Sequence, residues 1–283
     1  MSLPSDRATR AGISRAQVVR VRDGELEQLH DAIAVEEPLE VRIADESWAT
    51  LMRTPGSDHE LVAGLLLAEG VIRSQLDVHG ITHCQRPGAD ERDNVIEVAL
   101  APSTSTAELT ARGTLSSSAC GVCGRATIDD LLKRVGPIDG SVEFEAAWLA
   151  ALPEELARAQ RNFVHTGGLH AAAAVHPERG ILALREDIGR HNAVDKVVGR
   201  LLLDKALPVP DAALVVSGRA GFEIVQKAIA AGIGAVVSVS APSSLAIGTA
   251  VRSGLVLIGF ARNGDFNVYS GAERLRDLPR RGI

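Results

Sequence analysis

At 283 residues, with 46% apolar and 23% charged side chains, the chain has the balance of a globular protein with ample core, in one large or two modest domains. Aromatic residues are only 3%, so the core must be built from Ala, Val, Leu and Ile, and the composition excludes disorder, collagen and coiled coil. The net charge of −6 has the wrong sign for a non-specific nucleic-acid binder, and three cysteines (Cys84, Cys120, Cys123) are too sparse for a disulfide framework, which points to a reducing cytoplasm.

Residues 1–15, broken by Asp6, Arg7, Arg10 and Arg15, read as a flexible leader without a secretory signal. Residues 16–110 form an N-terminal α+β lobe. Short strands are expected over 18–21, 39–43 and 47–53. Ser57 and Glu60, three apart, resemble a capping box that opens a helix over 61–69, and Gly70 ends it. Alternation predicts strands over 78–83 and 94–100. Residues 111–124, rich in Ser, Thr and Gly, are expected to be a mobile loop carrying the CxxC pair. A helix is expected to begin near Arg125.

Residues 125–283 alternate more regularly. A helix is expected over 153–163 with Pro153 in its first turn. Strands follow over 169–175 and 181–185, then a helix over 192–203, a strand over 214–216 and a helix over 222–231. A strand over 235–239, a helix over 243–252 and strands over 255–260 and 266–269 complete the order. It predicts a three-layer α/β domain with a largely parallel sheet. No charge falls between Lys227 and Arg252, but Pro242 and the glycines and serines of that stretch suit a buried strand between two helices better than a membrane span.

The first chemical signal is Cys120-Gly121-Val122-Cys123. Two sulfurs brought together ahead of a helix start favour thiolate over thiol, since backbone N–H groups and the helix dipole stabilise the anion. Three readings stand: a thiol or persulfide site, half of a zinc site completed by His83 with Cys84 or by His165 and His170, or inert cysteines. The second signal lies at strand ends. Ser217-Gly218-Arg219-Ala220-Gly221 and Ser240-Ala241-Pro242-Ser243-Ser244 each follow a strand and open a helix. Small residues there expose amides that suit a phosphate, and Arg219 adds charge, although any α/β turn needs small residues. Phe260-Ala261-Arg262-Asn263-Gly264-Asp265 stands at a third strand end. The block from Arg185 to Lys196 reads either as a solvated turn with internal ion pairs or as a wall of donors and acceptors around a polar ligand.

Taken together, Cys120-Gly121-Val122-Cys123-Gly124, Gly167-Gly168-Leu169-His170, the block from Arg185 to Lys196, Ser217-Gly218-Arg219, Ser240-Ala241-Pro242 and Gly259-Phe260-Ala261-Arg262 resemble the FdhD family, the formate dehydrogenase accessory sulfurtransferases. The resemblance implies a cytidine-deaminase-like α/β fold and a homodimer. It implies a protein that accepts persulfide sulfur from a cysteine desulfurase. The sulfur then passes to the molybdenum cofactor, as the bis(molybdopterin guanine dinucleotide), before that cofactor enters formate dehydrogenase. By motif match Cys120 is the persulfide carrier and Cys123 its neighbour, while Phe260, Ala261, Arg262, Asn263, Gly264 and Asp265 match the cofactor-contacting stretch. Ser217, Gly218, Arg219 and Arg262 are expected to meet its phosphates, and Glu186 or Asp187 to accept from the N1 and N2 hydrogens of its guanine, with no tightly bound metal, nucleic acid or membrane involved. Two rivals remain. A zinc deaminase needs H-x-E and a later P-C-x-x-C, whereas His191-Asn192-Ala193 lacks the Glu and the CxxC lies upstream. A non-catalytic cofactor chaperone is the other.

Overall fold

The structure, a computed structural model, describes residues 12–84, 92–102, 104 and 137–278. The expected CxxC loop, with Cys120 and Cys123, and the helix near Arg125 lie outside the described residues. β1 (Ile13–Arg22) and β2 (Glu25–Ala34) make a two-stranded antiparallel ribbon. Asp23 and Gly24 join them, both at positive φ (52° and 85°), the backbone a tight hairpin requires. Ile13–Arg15 of the expected leader therefore belong to a strand, and β2 is an element the apolar pattern did not announce.

β3 (Glu37–Ile43), β4 (Glu46–Arg53), α1 (Asp58–Glu69), β5 (Val78–His83) and β6 (Val95–Leu100) follow, the strands forming a sheet of order β4-β3-β6-β5. The expected capping box is absent. Ser57 is left-handed (φ 58°) and its side chain caps nothing. Glu60 instead receives Arg185 through two hydrogen bonds of 2.5 and 2.6 Å, and Asp58 turns back onto the buried guanidinium of Arg53 at 3.1 Å from both Nε and Nη2. Charge-assisted pairs across the fold outcompete a local cap worth about 1 kcal/mol.

β7 (Phe144–Glu145) leads into α2 (Ala146–Ala159), which starts seven residues ahead of Pro153 rather than at it. A proline in a helix interior forfeits a backbone hydrogen bond. Complete burial of Leu149 and Leu152, with Leu156 almost as deep, offsets that loss. Then come β8 (His170–His176), β9 (Gly180–Asp187), α3 (Arg190–Leu203), β10 (Ala213–Val216), α4 (Phe222–Ala230), β11 (Ala235–Ser238), α5 (Ser244–Ser253), β12 (Val256–Arg262), β13 (Asp265–Ser270) and β14 (Leu275–Arg276). Six of these strands form one sheet, β13-β12-β11-β10-β8-β9, while β14 pairs with β7.

The sheet is mixed rather than largely parallel. Only β10–β11 and β11–β12 run parallel; β8–β9, β8–β10 and β12–β13 are antiparallel. The physical reason is loop length, because the turns after His176 and at Asn263-Gly264 are too short for the crossover a parallel pair needs. Helices cover both faces, as the three-layer expectation requires. Leu214 and Val216 pack into one core with α1, α3, α4 and α5, and Ala213 and Val215 into a second with Leu149, Leu152 and Leu156 of α2. The first core also takes in Leu39, Val41, Ile96 and Val98. The N-terminal lobe and the six-stranded sheet therefore share one interior, through α1 lying against α3.

Within that interior Lys227 of α4 holds the carboxylate of Asp195 on α3 at 2.7 and 2.9 Å. Burial is the largest influence on Asp195 and pushes its pKa up from 3.8 to about 6, against the pull of Lys227. The folded state then keeps a proton that the unfolded chain releases, so the stability from this group is full below 3.8 and falls as pH rises to about 6. Urea melts across that window are expected to show this decline, and Asp195→Asn, which cannot titrate, to flatten it. An unchanged slope in the variant would refute the assignment to Asp195.

Candidate functional site

Because β8 and β9 run against β10, the start of β8, the end of β9 and the C-terminal ends of β10, β11 and β12 share one edge of the sheet. In an α/β sheet that is where ligands bind. The topology thus brings together His170, the start of α3, Ser217-Gly218-Arg219, Ser240-Ala241-Pro242 and Phe260, motifs up to ninety residues apart.

Local hydrogen bonds fix this edge. Ser217 Oγ accepts from Ala171 N (2.9 Å) and Ser217 N donates to Ala171 O (3.0 Å). The fully buried Ser238 hydroxyl lies 2.7 Å from Gly218 O and 3.0 Å from Ser240 O, stitching two strand ends together. Ser243 N donates to Ala220 O (3.1 Å) and Phe260 N to Ser240 O (3.1 Å). Ser243 caps α5 by accepting from Ala246 N (3.2 Å). α3, α4 and α5 all begin along this edge, giving it the positive ends of three helix dipoles.

The stretch from Phe260 to Asp265 divides into unlike parts. One extra residue in β12 between Gly259 and Arg262 makes a β-bulge, and Phe260 sits in it at φ 55° with its ring 40% exposed. Bulges re-aim side chains, and a non-glycine residue held left-handed costs about 1–2 kcal/mol. Ala261 is fully buried in the second core. Asn263 (φ 53°) and Gly264 (φ 82°) form a two-residue hairpin between the paired Arg262 and Asp265, with Asn263 N donating to Glu154 Oε1 at 2.8 Å. Arg219 and Arg262 are exposed.

The block from Arg185 to Lys196 is mostly a clasp between lobes rather than a ligand wall. Asp187 is fully buried and accepts from Thr54 N (3.2 Å), Gly189 N (2.8 Å), Asn192 Nδ2 (3.0 Å) and Lys196 Nζ (2.7 Å). Lys196 and Asn192 also donate to Thr54 O and Met52 O, at 2.8 Å each. Glu186 spends both oxygens on the amides of Asn162 (2.9 Å) and Phe163 (2.8 Å). Neither carboxylate is therefore free to read a guanine. What the block leaves at the strand edge is Arg190 and His191, the latter with Nδ1 3.6 Å from Glu223 Oε2 on α4.

His170, half-buried beside Gly218, is pulled below the ordinary imidazole value of 6.5, first by burial and then by the Arg190 charge, with Asp187 opposing. It is the neutral partner in this corner. Arg190 was not singled out in the sequence; an arginine as the first residue of a helix that follows a glycine was the available signal. Cys84 is buried (3% exposed), its amide bonded to Val95 O at 2.9 Å, away from this edge. Among the described residues no three His, Cys, Asp or Glu side chains converge as metal ligands, and no helix is long and apolar enough to cross a membrane.

The sequence model of the FdhD/NarQ family matches residues 34–276. The chain belongs to the FdhD/NarQ family. A sulfur carrier protein FdhD of Streptomyces avermitilis is 44% identical over 267 residues, covering 92% of this chain and 95% of the relative. One from Anaeromyxobacter dehalogenans (strain 2CP-C) is 49% identical over 257 residues, covering 87% and 89%. A crystal structure of a formate dehydrogenase accessory protein from Desulfotalea psychrophila superposes with a TM-score of 0.72 at 24% identity, over 93% of this chain and 99% of that one, a likeness of fold. Of the stretches that carried the resemblance, His170, Ser217-Gly218-Arg219, Ser240-Ala241-Pro242 and Phe260 lie on the strand edge described above, the block from Arg185 to Lys196 mostly joins the lobes, and the CxxC pair lies outside the described residues.

Proposed function

We propose that this chain is a sulfur carrier serving formate dehydrogenase, which takes persulfide sulfur from a cysteine desulfurase and passes it to the bis(molybdopterin guanine dinucleotide) form of the molybdenum cofactor. The observation that carries the reading is 44–49% identity to sulfur carrier proteins over most of both chains. In the first step the Cys120 thiolate attacks the outer sulfur of the donor's persulfide. A Cys120 S–S bond forms, the donor's S–S bond breaks, and its electron pair leaves with the donor cysteine as thiolate. One persulfide replaces another, so no oxidant is consumed. Cys123 tunes that thiolate or shares the sulfur.

The acceptor belongs at the strand edge. The Ser217-Gly218 turn, with the exposed Arg219 and Arg262, suits its phosphates, and the partly exposed Phe260 suits stacking on a flat heterocycle. The molecule acts as a cytoplasmic homodimer, and its sheet domain is of cytidine-deaminase type, a reading supported by the parallel β10, β11 and β12 under helices on both faces. The test is mass spectrometry of the full chain after incubation with desulfurase and cysteine. One added sulfur atom on Cys120 is the expected result. An unmodified Cys120, with formate dehydrogenase still matured, would overturn sulfur transfer in favour of a cofactor chaperone.

A further inference from the structure

We propose that Arg190 grips a phosphate of the guanine dinucleotide acceptor, in a notch formed with His170 and Gly218; the assignment rests on the acceptor-site reading above. Arg190 opens α3, a helix of 14 residues whose N-cap, Gly189, offers no side chain, so the first amides lack an intrahelical partner. α4 starts alongside in the same way, at Gly221 and without a side-chain cap. These two helix starts are neighbours through the His191–Glu223 approach.

The arginine itself supplies the independent observation. Arg185 is bound to Glu60, Lys196 to Asp187, and Lys227 to Asp195. Among the described residues Arg190 makes no hydrogen bond or ion pair, and its Nε is buried without an acceptor. An unmet buried N–H costs about 1–3 kcal/mol, which an incoming anionic acceptor would recover. Gly218 keeps the notch open: a Cβ there would lie 3.3 Å from His170 Nδ1 and 3.5 Å from Arg190 Cδ. His170, held neutral, brings no rival anion and can donate through its ring. A positive fork, two open helix starts and a missing side chain together specify an anion with several oxygens.

The test uses the full chain and GDP as probe, with affinity measured by calorimetry at low and at physiological salt. Arg190→Ala is expected to weaken GDP binding about 10- to 100-fold, the worth of a charged hydrogen bond, and to make the remaining affinity less sensitive to salt. Arg190→Lys keeps the charge but loses the fork, and is expected to remain at least about threefold weaker than wild type. This second variant decides the matter where the alanine change disturbs folding. Either variant folding normally and binding GDP as wild type does would overturn the role of Arg190 alone. A wild-type chain indifferent to GDP would instead overturn the acceptor-site reading, and this assignment with it.

Discussion

Cys120→Ala is expected to abolish formate dehydrogenase maturation in cells that depend on this chain, and Cys120→Ser to do the same. The chemistry demands a nucleophile that is anionic near neutral pH and able to form a second S–S bond. A serine hydroxyl meets neither condition, so the conservative change is as damaging as the drastic one. Cys123→Ala is expected to lose part of the activity only, since the proposed route passes the sulfur through its neighbour. Cys84→Ala is the control. At 3% exposure its thiol is out of reach of a partner protein, and the change is expected to cost about 1 kcal/mol of stability with maturation near normal. Formate dehydrogenase activity in complemented deletion cells, with immunoblots to equalise protein, separates these outcomes. Full maturation by the Cys120→Ala chain would sink the sulfur-carrier role of that residue.

The sequence made the interior of the sheet domain legible because its apolar runs have one possible destination. Ala213–Val216 and Ala235–Ser238 are buried throughout, and their flanking small residues mark the helix starts. It hid what depends on partners far along the chain. Glu60 looks like a local cap until Arg185, 125 residues away, takes both its oxygens. Glu186 and Asp187 look like free carboxylates until main-chain amides and Lys196 occupy them. β2 escaped because an exposed ribbon need not alternate, with Leu26 at 75% and Ile33 at 39% exposure, although Asp23-Gly24 was a readable hairpin turn. Likewise Asn263-Gly264 carried the news that β13 turns back antiparallel. Pro153 was read as a helix start because that is where proline costs least, yet the buried leucines around it carry the helix through. At the candidate site, the set of motifs was visible in the sequence and their common edge was not. Only the order and direction of the strands places His170 beside Gly218.

The largest expected stability loss follows from two glycines that no ligand explains. α1 and α3 cross so closely at Gly64 and Gly199 that a Cβ on Gly199 would run into Glu60 O and lie 2.8 Å from Gly64 N. One on Gly64 would run into Asp195 O and lie 2.7 Å from Asp195 C. Each obstacle is main chain of the opposing helix, which has no rotamer to change, so the helices themselves must move apart and loosen the core shared by both lobes. Overpacking of about 1–3 kcal/mol or more sets in, against about 1 kcal/mol gained from alanine's helix propensity. Gly199→Ala is therefore expected to lower stability by about 2 kcal/mol, and Gly199→Val, larger and β-branched, by more; at this size a 2 kcal/mol loss lowers Tm by about 4–8 °C. Gly248, inside α5 with nothing near its missing Cβ, supplies the matched comparison. There the same Gly→Ala change is expected to raise stability by about 0.5–1 kcal/mol. Opposite signs for one chemical change at two helical glycines would identify backbone contact between α1 and α3 as the cause. Equal gains at both sites would show that the crossing is looser than the geometry requires.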